Sequence, residues 1–437
     1  MLTESPPAPP QVQDGAADHA PRRALLRAAS VYGASNVLER LIPILLLPIL
    51  TYYLTPADVG MLALFTAATN LIGLFVGLNV SYAVRRRYFD AAREQFPRYV
   101  GNCLLIIGGG LVLALLVVTI GDGALARVAG LPGRWLAAAA VLAAAQELLM
   151  VPLTIFQVER QPARYARVQV GRSAGVAALT ALFVIWFKLG WQGAAAAQLV
   201  TTGTFVLFVG LPGLKRWVEF QYDPADIAHA LRFGGGLIPH TLGTLAMRTA
   251  DRFVISYYLG AYENGLYSVG YQVGFAVAVA ADAFNRAWSP WLYAGLAEHN
   301  AATDRRIVRM TYAYFVGIAA FTVILSLVAP PVMHRVLSAD FQGAGRYVWW
   351  IALGFAFNGM YSVLSGFIFY AERTLVISWI TGVSSIVNIA LNVVLVPRYG
   401  AIGSAQATAF AFLLRFVLTW AAGHRLRPMP WRLLPSR

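Results

Sequence analysis

The sequence predicts an all-α, polytopic membrane protein of about 12 transmembrane helices in two homologous six-helix bundles, and three observations predict it. The 437-residue chain is 58% hydrophobic and only 12% charged, with mean hydropathy +0.62, against about 25% charged in soluble domains. Apolar stretches of about 20 residues, the length that crosses a bilayer as a helix, recur almost without pause. The chain also repeats itself. Tyr52-Tyr53-Leu54-Thr55-Pro56-Ala57-Asp58-Val59-Gly60 returns 205 residues further on as Tyr257-Tyr258-Leu259-Gly260-Ala261-Tyr262-Glu263-Asn264-Gly265. Lys188–Ala194 returns as Arg398–Ser404 and Glu159-Arg160 as Glu372-Arg373, at offsets of 210 and 213 that small insertions explain. A membrane chain with duplicated halves has the usual ground plan of a transporter, with its site where the halves meet.

Residues 1–24, rich in Pro and Ala without an apolar core, read as a disordered cytoplasmic tail and not as a cleavable signal peptide. Spans are expected at 28–54, 58–84, 97–119, 135–158, 163–187 and 192–212, which makes 25–212 the N-terminal bundle. Six more at 236–259, 264–287, 306–329, 344–370, 374–396 and 400–422 make 236–424 the C-terminal bundle, followed by a cytoplasmic tail at 425–437. The connection 213–235 is the boundary between them. Its Tyr222-Asp223-Pro224-Ala225-Asp226, followed by Ile227, Leu231 and Phe233, predicts a short amphipathic helix on the cytoplasmic interface.

The formal net charge of +14 invites a nucleic-acid reading, but the cations sit in bursts between apolar spans, as topology requires. One set of connections holds Arg22, Arg23, Arg27, the Arg85-Arg86-Arg87 run, Arg93, Arg98, Arg160, Arg164, Arg167, Lys215, Arg216, Arg232, Arg305, Arg306, Arg309, Arg373 and the arginines of the C-terminus. The alternate set holds only Arg127, Arg134, Lys188, Arg335, Arg346 and Arg398. The positive-inside rule therefore puts both termini in the cytoplasm. The single cysteine, Cys103, excludes an intrachain disulfide and a multi-cysteine metal site. No metal, cofactor or nucleic acid is implied.

A charge at the bilayer centre costs about 2.5–3.5 kcal/mol on insertion scales, so each one needs a partner, a wet cavity or a purpose. In span one Asn36, Arg40 and Pro43 share a helical face beside Glu39. In span seven Thr241, Thr244, Arg248 and Asp251 share another, followed by Arg252. The repeat places Arg248 one turn from Arg40, so both halves aim a cation at nearly the same depth. Arg40, Arg248, Arg252 and Asn36 are the candidate substrate-binding residues; the alternative is that Arg40 pairs with Glu39 or another acid and that Asp251 neutralises Arg252. Glu147, mid-span four, is the candidate coupling carboxylate, with Asp251 second. Arg85, Asp282 and Arg286, beside Asn79 and Asn285, are candidates for a cytoplasmic gate, although snorkelling explains Arg286 equally well. Arg172 and Arg415 read as structurally paired cations, His240 as a core residue, and Asn388 with Asn392 as an interhelical hydrogen-bonding seam. Pro43, Pro48 and Pro239 break helices of the inner pair.

A P-loop needs Gly-x-x-x-x-Gly-Lys-Ser/Thr, and the only lysines, Lys188 and Lys215, precede Leu and Arg, so no ATP motor of this type is present. HExxH and CxxC are absent as well.

The segments Ser30–Gly33, Tyr52–Gly60, Pro239–Gly265 with its Ala250-Asp251-Arg252-Phe253-Val254-Ile255, and Tyr399–Ala405 resemble the polysaccharide-biosynthesis membrane proteins. These are the lipid-linked oligosaccharide flippases of the multidrug/oligosaccharidyl-lipid/polysaccharide exporter superfamily, and the resemblance covers 25–424. It implies two bundles in a V, with spans 1, 2, 7 and 8 lining a central cavity in the bacterial inner membrane. It also implies movement of undecaprenyl-diphosphate-linked oligosaccharide units for O-antigen, capsule or exopolysaccharide synthesis, with a polysaccharide polymerase and a chain-length regulator as partners. Cavity arginines would meet the diphosphate or acidic sugars. Relatives that move the peptidoglycan precursor carry two further helices, which disfavours that substrate.

Three other readings compete. A cation-coupled multidrug exporter of the same superfamily should favour an acidic, aromatic cavity. A membrane-embedded glycan polymerase or ligase wants a sizeable extracytoplasmic loop, and every such loop is short. A scaffold has no use for paired intramembrane cations. The topology is directly testable: reporter fusions after Arg27, Arg98 and Arg427 should report cytoplasm, and one after Leu131 periplasm. A periplasmic signal at Arg427 breaks the two-by-six architecture.

Overall fold

The computed structural model describes residues 19–90, 95–298 and 300–431, and among them every regular element is helical. The N-terminal half begins with α1 (His19–Thr51) and α2 (Pro56–Gly77), which α3 (Val80–Asp90) extends past a left-handed break at Leu78 and Asn79. Then come α4 (Phe96–Ile120), the short α5 (Asp122–Ala129) and α6 (Gly133–Val158). The helix α7 (Pro162–Ala181) runs into a π turn, and α8 (Gly190–Phe205) passes through a second π turn, Val206–Gly210, into α9 (Leu211–Leu214). The C-terminal half comprises α10 (Pro224–Gly274), α11 (Ala276–Ala297), α12 (Ala301–Val336), α13 (Gly345–Tyr370), α14 (Thr374–Tyr399) and α15 (Ala401–Leu426).

Ten of the described spans are long and apolar enough to cross a membrane. The other two are spans seven and eight, formed by α10 and α11, which carry Arg248, Asp251, Arg252, Asp282 and Arg286. Helix α10 is too long for one crossing and breaks at Gly260, whose φ of 82° lies in the region glycine enters without a Cβ penalty. The chain folds back there, so Tyr267 reaches Asp251 with a 2.7 Å hydrogen bond.

The repeat is written in the backbone. Thr55, which caps α2 through a reciprocal capping box with Asp58, is the counterpart of Gly260, so one turn is made twice with different chemistry. After α6 the left-handed residue is Arg160 (φ 57°), and after α13 it is Glu372 (φ 56°). The following amides close the same wide turn: Gln161 donates to Phe156 at 2.8 Å, and Arg373 donates to Ile368 at 3.2 Å. Arg160 thus answers to Glu372, one residue out of the register that matching Glu159-Arg160 to Glu372-Arg373 gave.

The termini and the linker also depart from expectation. Helix α1 starts at His19, inside the expected 1–24 tail, whose residues 1–18 lie outside the described ones. In the expected 425–437 tail, Arg427 donates to the Leu296 carbonyl at 2.9 Å and Trp431 packs on the C-terminal core. The amphipathic stretch 224–233 is not a separate helix but the first turns of α10. It is strapped to the N-terminal half. Arg98 holds Asp223 at 2.8 Å and Asp226 at 3.0 Å, and Asn102 accepts from the Asp223 amide and donates to the Gln221 carbonyl. Ile227 and Ala230 pack on the α3–α4 core, leaving Leu231 and Phe233 exposed.

The halves are packed differently. One large apolar cluster with a small satellite around Ile368, Ile377 and Ile380 fills the C-terminal half, whereas the N-terminal half is divided among several small ones. The halves touch most intimately at the arginine-poor end, between α2 and the second limb of α10. A Cβ on Gly60 would strike the Ala261 carbonyl oxygen, and one on Gly265 would strike that of Pro56. Asn264 donates to the Gly60 carbonyl at 3.1 Å, and Ser338 donates to the Thr51 carbonyl at 2.6 Å. Gly60→Ala and Gly265→Ala should therefore each push α2 from α10, at roughly 1–3 kcal/mol as for other overpacking. Spin labels on exposed Tyr52 and Tyr262 should report a wider distance distribution in either variant. Unchanged distances and an unchanged melting temperature in both would show that the contact is slack.

Candidate functional site

A cavity of about 830 Å³ opens between the halves, within the range of ligand pockets. Helices α1, α2, α6, α7 and α8 supply its N-terminal walls, and from the other half only α10 and the adjoining Phe275 reach it. This is broader and less symmetric than a lining by spans 1, 2, 7 and 8. The subdivided N-terminal core explains the difference, because the space is excavated from that half.

Of the four residues expected to bind substrate, Arg248 and Arg252 line the cavity, and Arg40 and Asn36 do not. Arg40 turns aside to an ion pair with Asp282 of α11 and lies 5.7 Å from the Phe275 ring centre. A carboxylate on the facing helix relieves the cost of an intramembrane cation more directly than an open cavity does. Asn36 instead accepts a 3.4 Å hydrogen bond from Tyr165. Arg252 is tied down on three sides. It pairs with buried Asp251 at 2.7 Å, donates to the Arg248 carbonyl at 2.6 Å, and stacks 4.1 Å above the Tyr271 ring. Asp251 also accepts from Tyr267 and is 2% exposed. Arg248 is exposed and forms no ion pair among the described residues. Among the described residues that line the cavity, it is the cation without an ion pair.

Glu147 faces the same space from α6, below Gly77, where a Cβ would strike its carboxylate. It forms no ion pair or hydrogen bond among the described residues. The neighbouring Glu39 is fully engaged: Arg172 donates to it at 2.8 Å, Gln169 also donates to it, and Ser173 donates to its backbone carbonyl at 3.3 Å. That clasp ties α1 to α7. Sequence reasoning offered Glu39 as a partner for Arg40; it meets Arg172 instead, and Arg40 meets Asp282. Among the described residues the cavity thus holds one unpaired cation and one unpaired carboxylate, on opposite halves.

The expected gate does not assemble. Arg85 donates to Gln157 at 2.7 Å and stacks on Tyr82, Arg286 is exposed without an ion pair among the described residues, and Asp282 is taken by Arg40. The contact that crosses the seam between α1 and α11 is the Arg40–Asp282 pair, with side chains 31% and 38% exposed. Arg415 is buried against the Tyr361 ring at 3.7 Å, with Thr381 at 3.2 Å and Asn358 at 3.4 Å, and so meets polar groups where an acid was expected. Asn392 and Asn388 donate along and across the α14–α15 seam, as their spacing predicts. Among the described residues no three His, Cys, Asp or Glu side chains converge as a metal set would require.

The fold is shared with membrane transporters. An inward-facing multidrug resistance MATE family transporter of the MOP superfamily superposes with TM-score 0.69 at 16% identity, over 91% of this chain and 94% of that one. The inward closed lipid II flippase MurJ superposes with TM-score 0.68 at 14% identity, over 92% and 86%. A protein of the Lsg locus of Haemophilus influenzae is 22% identical over 394 residues, covering 86% of this chain and 94% of that protein. The family described as polysaccharide biosynthesis protein matches residues 25–295, well over half of the sequence. This multi-pass chain therefore belongs to the polysaccharide biosynthesis protein family and has the fold of MOP-superfamily transporters.

Proposed function

We propose that this protein flips undecaprenyl-diphosphate-linked oligosaccharide units across the bacterial inner membrane by alternating access, for surface polysaccharide synthesis. The observation that carries the reading is Arg248, a free guanidinium facing a cavity between two halves of a polysaccharide biosynthesis family member. A planar, permanently charged donor fork suits a diphosphate or an acidic sugar. The saccharide head occupies the cavity while the polyprenyl tail stays among lipid chains, which calls for an opening along one seam. The α1–α11 seam suits that step, because the Arg40–Asp282 ion pair crosses it and has to part before the halves can separate there. Both termini are cytoplasmic in this reading, and transfer runs from the cytoplasmic to the periplasmic leaflet.

One observation favours a second reading, a cation-coupled multidrug exporter: Glu147 stands unpaired in the same cavity, where it would serve a cationic drug directly. In the flippase it serves coupling instead. A proton bound there shifts the balance of inward and outward states only if its affinity differs between them.

Two experiments separate these roles. Arg248→Ala should lower flipping of lipid-linked saccharide in reconstituted vesicles by about 10- to 100-fold, the loss of a charge-assisted contact of roughly 1.5–3 kcal/mol. Protein levels should hold, and Arg248→Lys should keep part of the rate. Unchanged flipping in the alanine variant removes the main support for an anionic substrate. Glu147→Gln should slow flipping and flatten its dependence on pH. If it abolishes efflux of cationic dyes while Arg248→Ala leaves that efflux intact, the exporter reading takes over.

A further inference from the structure

A second cavity, of about 680 Å³, lies at the arginine-rich end of the N-terminal half, away from the space between the halves. Its apolar floor and walls are Phe156 of α6, Val168 of α7, and Phe205, Phe208 and Val209 around the second π turn. Phe205 lies against Gly171 of α7, where an added Cβ would come within 3.2 Å of its ring, so the two spans close tightly there and leave the groove toward their ends. The π turn sets Phe208 outward, 76% exposed at the edge of the groove.

Four cations rim this apolar trench: Arg164, Arg167, Lys215 and Arg216. Among the described residues one acid pairs with them, Glu159, which holds Arg216 at 2.7 Å while Arg216 stacks 4.8 Å from the Trp217 ring centre. Among the described residues Arg167 bonds only the Ala163 carbonyl of its own helix, at 3.3 Å. Arg164 and Lys215 are exposed and form no ion pair among the described residues. Three positive charges therefore stand unneutralised over a hydrocarbon-lined slot. A soluble anion makes no use of the slot, and a zwitterionic lipid brings its own cation against the rim. Basic pockets between membrane helices at the cytoplasmic face bind anionic head groups. We infer that the groove holds an anionic phospholipid of that leaflet, its phosphate among Arg164, Arg167 and Lys215 and an acyl chain along Phe156, Phe205 and Val209.

The test titrates the full-length protein, in neutral detergent, with dioleoyl phosphatidylglycerol and with dioleoyl phosphatidylcholine, counting bound lipid by native mass spectrometry. Phosphatidylglycerol should bind at least about ten-fold more tightly. Arg164→Gln/Arg167→Gln should weaken it roughly thirty-fold and Lys215→Gln about five-fold. Arg305→Gln/Arg309→Gln, exposed cations on α12 away from the groove, should leave it unchanged. Should the double variant fail to fold, Lys215→Gln decides. Equal affinity for the two lipids overturns the inference, as does an equal loss in the α12 control. Displacement of the lipid by glycerol phosphate at matching concentration also overturns it, because the head group alone would then suffice.

Discussion

Where Gly60 meets Ala261 and Gly265 meets Pro56, backbone lies on backbone. The four positions form two repeat-related pairs, 205 residues apart, so the contact is reciprocal in the way a two-fold interface is between subunits. In a bilayer the lipid chains are as apolar as leucine, and helices gain by close approach rather than by escaping water. Small residues at this crossing let α2 and α10 come within reach of each other's carbonyls. That fixes the spacing of the halves at the arginine-poor end. Everything toward the other end can then separate into walls of a cavity without the halves parting.

Charge follows the same economy. Nearly every intramembrane cation has been given a companion: Arg172 has Glu39, Arg252 has Asp251 and Tyr271, Arg40 has Asp282, and Arg415 has an aromatic face with two polar side chains. Partners of this kind offset the cost of taking a cation out of water. Against that background Arg248 and Glu147, without an ion pair among the described residues, are exceptions, and both open on the same space.

The fold was legible in the sequence because its signals are long and redundant. Twenty-residue apolar runs, the arginine bias and the Tyr-Tyr-Leu repeat each pointed to two membrane bundles, and Arg248 could be placed from helical spacing plus the repeat. Side-chain partnership was not legible. The i, i+4 spacing put Asn36 and Arg40 on one face but could not say which neighbouring helix that face would meet, and it met Tyr165 and Asp282. The proposed trio of Arg85, Asp282 and Arg286 failed for the same reason, since it needed contacts among spans distant in the chain. The register of the second repeat slipped by one residue because Glu-Arg matched letter for letter, while the backbone had placed its left-handed turn on Arg160 and Glu372. The break at Gly260 was visible as a loop, but the fusion of the linker helix with span seven was not, since Gly234-Gly235-Gly236 and Pro239 read as a break and the helix runs through them.

That fusion makes α10 a lever with two fulcrums. Its first turns are held by Arg98, Asn102 and Ile227's packing in one half, and Gly234 touches the Leu78 carbonyl there. From Gly243 onward, where Ser385 donates at 2.7 Å, and at buried Met247, it is packed in the other half. A rod clamped to two bodies cannot stay straight while the angle between them changes. The bending must fall between the clamps, on a stretch that contains Gly235 and Gly236, each with open space around it, and Pro239, which lacks an amide to donate. The weakest turns of the longest helix thus lie where one rigid half ends and the other begins.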